Sequence, residues 1–104
     1  MLFEKAFTLA YIECAEWAEN CEMTDEEVQD AALDCADFCQ SFGPLMWDNG
    51  LDAEQCGHDF WLTRNRHGAG FWDRDLGELG QQLTDAAHPY GEAYLENAET
   101  WDLA

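Results

Sequence analysis

Positive charge is what this sequence most lacks. Its 104 residues hold four Lys and Arg against 23 Asp and Glu, a formal net charge of −19. After Lys5 no lysine or arginine occurs until Arg64, and the interval holds fourteen acids. Phosphate backbones and anionic lipids are held by cations, so the composition excludes nonspecific binding to nucleic acid or to anionic membranes. Long apolar runs are also missing: no stretch approaches the roughly 20 residues that span a bilayer. The N-terminal MLFEKAFTLAYIECAEWAEN has neither the basic n-region nor the long h-region of a secretory signal, so the expectation is a cytoplasmic protein. The five cysteines (14, 21, 35, 39 and 56) are odd in number and form no CxxC, which makes reduced thiols the default. There is no HExxH, no glycine-rich phosphate loop and no serine nucleophile elbow, and no cofactor is called for.

Aromatic residues, by contrast, are plentiful. Five Trp and six Phe in a chain this short argue for a packed core and one acidic globular domain over residues 1–104. Phe3, Phe7, Ala10, Cys14, Trp17 and Cys21 recur at 4-3-4-3-4 spacing, predicting an amphipathic helix over 2–21. Thr24 followed by Glu27 is a capping box that opens a second helix. Its apolar face is Val28, Ala32, Cys35, Cys39 and Phe42, with a stop at Gly43-Pro44. Asp52 with Gln55 marks another start, and the helix it opens runs to about Leu62, with Gly57 weakening it. Leu76, Leu79 and Leu83 indicate a further helix ending near Pro89. Residues 63–74 read as a loop or hairpin, and EAYLENAETWDL as a hairpin about Asn97-Ala98. The expected class is α+β, mainly α: three to four helices packed on a small C-terminal β-hairpin.

The acids are patterned. Glu26, Asp30, Asp34 and Asp37 fall at i, i+4, i+8 and i+11, one ridge of the second helix. Like charges at i, i+4 cost a helix about 0.2–0.5 kcal/mol per pair, and no lysine is interposed to relieve them. Carboxylates recurring about every 6 Å of helix make a rigid row of negative charge. Such a row stands in for phosphates in a site built to hold DNA. The candidate partner-binding residues are Glu13, Glu16, Glu19, Glu26, Asp30, Asp34 and Asp37. The bland alternatives are a solvated face and adaptation to high salt.

The most distinctive stretch is GHDFWLTRNRHGAGFWDR, residues 57–74, which holds three of the four cations. It resembles a segment of small bacteriophage-encoded proteins of unknown function, of the type Gly-His-Asp-Phe-Trp-Leu-Thr-Arg-Asn-x-His-Gly-Ala-Gly-Phe-Trp-Asp. LGELGQQLTDAAHPYGE is similar to the helix and Tyr-Gly-Glu that come next in those proteins, so the resemblance covers about residues 56–95. The group often ends in a Gly-Asp-rich hairpin, where this chain has LENAETWDL. The resemblance implies a phage origin and brings no established activity. Within the segment Cys56, His58, Asp59 and His67 include zinc-binding residue types, and Asp59 with His67 is a candidate acid–base pair. The spacing fits no standard site. The simpler reading is that Asp59 and the arginines pair to order the loop while Phe60, Trp61, Phe71 and Trp72 fill a core.

Charge and size together resemble DNA-mimic inhibitors. The function expected is that of a non-enzymatic phage inhibitor, of anti-CRISPR or anti-restriction type. Its partner would be a basic nucleic-acid-binding host protein (a CRISPR effector, restriction enzyme or repair glycosylase) in the host cytoplasm. The competing class is a small metal-dependent hydrolase centred on His58, Asp59 and His67. A strict apolar stripe on the first helix also admits a homodimer seam.

Overall fold

A computed structural model describes residues 2–98. Helix α1 (Leu2–Glu19) is followed by α2 (Asp25–Trp47), α3 (Ala53–Arg64) and α4 (Glu78–Ala87), with single 3-10 turns at Phe71–Asp73 and His88–Tyr90. No strand occurs among the described residues, so the α+β expectation is overturned and the described fold is all helical. The expected hairpin has a physical replacement. Its first arm spends its backbone donors on side chains: Ala93 N–H donates to Asn65 Oδ1, Leu95 N–H to Glu19 Oε2 and Glu96 N–H to Glu27 Oε2. The turn about Asn97 is closed by Ala98 N–H donating to Leu95 O, and the return arm lies outside the described residues.

Local chemistry sets the helix ends. At Thr24 both halves of the capping box form, Glu27 N–H to Thr24 Oγ1 at 3.2 Å and Thr24 N–H to Glu27 Oε1 at 2.9 Å. Asp52 Oδ2 accepts from Gln55 N–H and opens α3. That helix closes with Arg66 N–H on Thr63 O and His67 N–H on Leu62 O, and Arg66 takes the left-handed position (φ 58°) that glycine usually fills.

Gly43-Pro44 does not end α2, which runs on to Trp47. Proline deprives the Gln40 carbonyl of its partner, and Gln40 faces solvent, where water replaces the bond. Gly43 leaves room for the Trp47 ring, which folds back over it and meets Phe3 edge-on at 5.4 Å. The extra turn also carries Met46 fully into the core.

The core is one cluster, centred on Phe7, Phe38 and Phe60, with ring centroids 4.3–5.9 Å apart. Helix α1 packs chiefly on α3. Gly57 permits the contact, since a Cβ there would collide with the Phe7 carbonyl and stand 3.1 Å from Ala10 Cβ. The glycine expected to weaken α3 is thus what seats it. The buried face of α1 is Phe7, Ala10, Tyr11, Cys14 and Ala15, whereas Trp17 is 82 % exposed. A seven-residue repeat drifts about 20° per heptad on a straight helix, and by Trp17 the stripe has rotated off the core. Val28 is exposed for its part on α2.

Candidate partner-binding surface

The seven carboxylates singled out from the sequence divide into two groups. Four hold the fold together. Glu16 Oε2 accepts from Met23 N–H at 2.9 Å and closes the α1–α2 turn. Glu19 anchors Leu95. Asp34 Oδ2 pairs with Arg64 Nη1 at 2.8 Å, and Asp37 accepts from the Tyr90 hydroxyl. The other three, Glu13, Glu26 and Asp30, are exposed, and none of them accepts a side-chain or backbone donor among the described residues. The structure does not gather these three: Asp30 lines a hollow with Met23, Tyr94 and Leu95, while Glu13 lies in a cleft with Trp17 and His58. The continuous ridge is therefore interrupted. Its N-terminal half points free carboxylates at solvent, and at Asp34 a buried guanidinium cancels the charge.

Arg64 is the residue that sequence reasoning undervalued. It is 5 % exposed, with Nη1 on Asp34 and on the Tyr11 hydroxyl at 3.0 Å. Nε donates to Gly91 O and Nη2 to Tyr90 O. Its guanidinium lies 5.5 Å from the Phe60 ring centroid and 5.6 Å from that of Tyr90. One side chain thus ties α1, α2, α3 and the C-terminal segment together. Burial pushes the Tyr11 phenol up to about 12, with Arg64 opposing, so it stays a neutral partner.

The rest of the Gly-His-Asp segment is equally architectural. Asp59 is buried and takes Arg74 Nη2 at 2.9 Å and Gln55 Nε2 at 3.1 Å. Thr63 Oγ1 accepts from Phe71 N–H at 3.1 Å and folds the glycine-rich loop back on α3. Asn65 Nδ2 donates to Trp61 O. Phe60, Trp61 and Phe71 fill the core as expected, but Trp72 is 52 % exposed, and Arg64 pairs with Asp34 rather than Asp59.

The alternative metal set does not converge. Asp59 belongs to Arg74, His67 packs its ring on Trp61 at 5.0 Å, and His58 lines the Trp17 cleft. Burial pushes the Cys56 thiol up to about 12, which keeps it protonated and a poor nucleophile. Among the described residues no three His, Cys, Asp or Glu side chains are grouped as metal ligands. Asp59 gives its oxygens to Arg74 and Gln55, and no hydrogen bond joins it to His67 among the described residues.

The exposed charge is predominantly negative. Fifteen carboxylate side chains are exposed among the described residues, against Lys5, Arg66 and Arg74. No described helix is long and apolar enough to cross a membrane. Comparisons with protein-family models, with curated proteins and with solved structures return no match.

Proposed function

We propose that this protein is an inhibitor that docks its carboxylates onto the basic, nucleic-acid-binding surface of another protein. The biological setting is that of a phage-encoded DNA mimic acting on a host defence protein of CRISPR or restriction type. The observation that carries the reading is the exposed charge: fifteen acids against three cations among the described residues. A charge density of that sign steers cationic partners and repels nucleic acid itself. Within the acids, Glu26 and Asp30, with Glu22 and Asp25 beside them, are the contact residues. They are exposed and unengaged, and the dipole of α2 favours anions at its start. Asp34 and Asp37, further along the same ridge, are engaged by Arg64 and Tyr90 and leave the contact set.

The test is capture from a bacterial lysate on the immobilised protein, at about 0.1 M and about 1 M salt, between which the screening length falls from roughly 10 to 3 Å. The expected result is a nucleic-acid-binding protein retained at the lower salt, released at the higher, and displaced by duplex DNA. A Glu22→Gln, Asp25→Asn, Glu26→Gln, Asp30→Asn variant should lose it while melting normally. Retention that DNA does not compete away, or that survives the four substitutions, rejects the reading.

A further inference from the structure

We infer that the groove between α1 and α3 is a second contact surface, and that its occupant is a cationic amphipathic helix of a partner protein. This goes beyond the electrostatic reading, because it rests on apolar side chains that carboxylate pairing leaves unused. Trp17 is 82 % exposed and Leu9, on the same helix, 53 %. Trp17 walls a cleft of about 470 Å³ together with Leu62 and His58 of α3. A hollow of about 180 Å³ continues past Glu13 to Leu9 and Glu54. Glu13 lines both, so the two adjoin along the seam of the helices and are read together as one groove.

Single apolar side chains on a surface mean little. A tryptophan this bare, standing at the wall of a groove, is the kind of anchor that interfaces use, with large area and few rotamers to freeze. Leu9 and Trp17 are separated by about 12 Å of helix rise. Apolar residues at i, i+4 and i+7 of a facing helix cover a similar span, the usual register of helix-in-groove recognition.

Charge selects the occupant. Glu13 and Glu54 flank the groove, both exposed, and among the described residues no lysine or arginine lines either hollow. A second copy of this chain would bring a net charge of −19 against the same sign. A helix with an apolar stripe and lysine or arginine on its shoulders fits both the groove and its rim.

The experiment uses the full-length protein and a labelled synthetic Leu/Lys helix with leucines at i, i+3, i+4 and i+7. A second peptide of identical composition has its leucines out of register. Equal charge makes the general acidity of the protein cancel, so the difference in anisotropy-derived affinity reports the groove. The in-register peptide should bind at least tenfold tighter. Trp17→Ala should remove that preference, and so should Leu9→Ser, a second position in case the first variant melts low. Equal binding of the two peptides, or a preference indifferent to both substitutions, overturns the proposal. A sedimentation dimer dissolved by Trp17→Ala would give the groove to a second copy. That result also overturns the proposal. The Glu26→Gln, Asp30→Asn variant should keep the register preference, so failure here and failure of the carboxylate reading are told apart.

Discussion

Two stretches of this molecule stand out in the sequence for opposite reasons, and they exchange roles in the fold. Residues 57–74 gather cations, histidines, aromatics and glycines in the manner of an active site. The first two helices are monotonous by comparison, acids set against an apolar face. Yet the varied stretch is spent inside: Asp59 on Arg74, Arg64 on Asp34 and Tyr11, Thr63 on the Phe71 amide, Phe60 and Trp61 in the core. The monotonous helices supply the free carboxylates and the bare tryptophan. The lesson is that chemical diversity in a segment reflects the number of different partners it must satisfy. In a small domain with little core, those partners are its own elements. Under the proposed function, being bound requires no such diversity, only exposure and charge.

The largest effect should come from breaking the inward-facing stretch. Arg64→Ala leaves Asp34, the Tyr11 hydroxyl and two carbonyls without their donor. It should destabilise by about 3 kcal/mol, the lower end for a severed buried pair because Asp34 keeps some solvent. For a domain of this size that is a fall in melting temperature of more than about 10 °C, read by thermal circular dichroism. A fall of a degree or two would mean the segment is not the organiser it looks to be.

A smaller effect is expected at the boundary between the two regions, and it depends on pH. The Thr24 backbone N–H, first among its causes, holds the Glu27 carboxyl below its ordinary range, and the Glu96 amide assists. A depressed folded value means that the unfolded chain binds the proton first. The stabilisation is therefore whole above about pH 4.3, the ordinary glutamate value, and is lost as pH falls through the folded one. Melting of wild type and Glu27→Gln should differ at pH 7, and the gap should close as the acid limb is reached. A gap that is constant with pH would remove the carboxylate from the account.

The smallest effect is also the one of opposite sign. Asp30→Asn relieves a like-charge i, i+4 contact with Glu26 and should stabilise by about 0.2–0.5 kcal/mol. Asp34→Asn, one turn along the same ridge, should destabilise, since it leaves Arg64 without its counter-charge. Chemical denaturation of the two single variants reads both. Equal signs would erase the distinction between the free and the engaged half of the ridge.

Much of the local structure was legible in the residues. The Thr24–Glu27 box, the Asp52 cap, the helix ending near Pro89 and the aromatic core required only nearest-neighbour chemistry. Errors arose where distant groups intervened. Gly43-Pro44 reads as a stop, but Trp47 and Met46 gain packing if the helix continues, and the exposed Gln40 carbonyl tolerates the missing bond. Gly57 reads as a weakness, but α1 needs the space. The tail reads as a hairpin, but Asn65, Glu19 and Glu27 accept the donors of its first arm. The ridge on α2 reads as uniform because spacing on one helix carries no information about a guanidinium arriving from another.

By itself the sequence determined the strong negative charge, the wealth of aromatics and the capped starts of α2 and α3, because charge, periodicity and caps act within a few residues of one another; the β-hairpin it also suggested is not formed among the described residues. Only the tertiary structure decided which carboxylates are spent and which are free, and which aromatics are core and which are surface. Those outcomes depend on where α3 and the C-terminal segment come to lie against α1 and α2. That placement is a matter of long-range packing, fixed by a missing Cβ at Gly57 and a buried charge at Arg64.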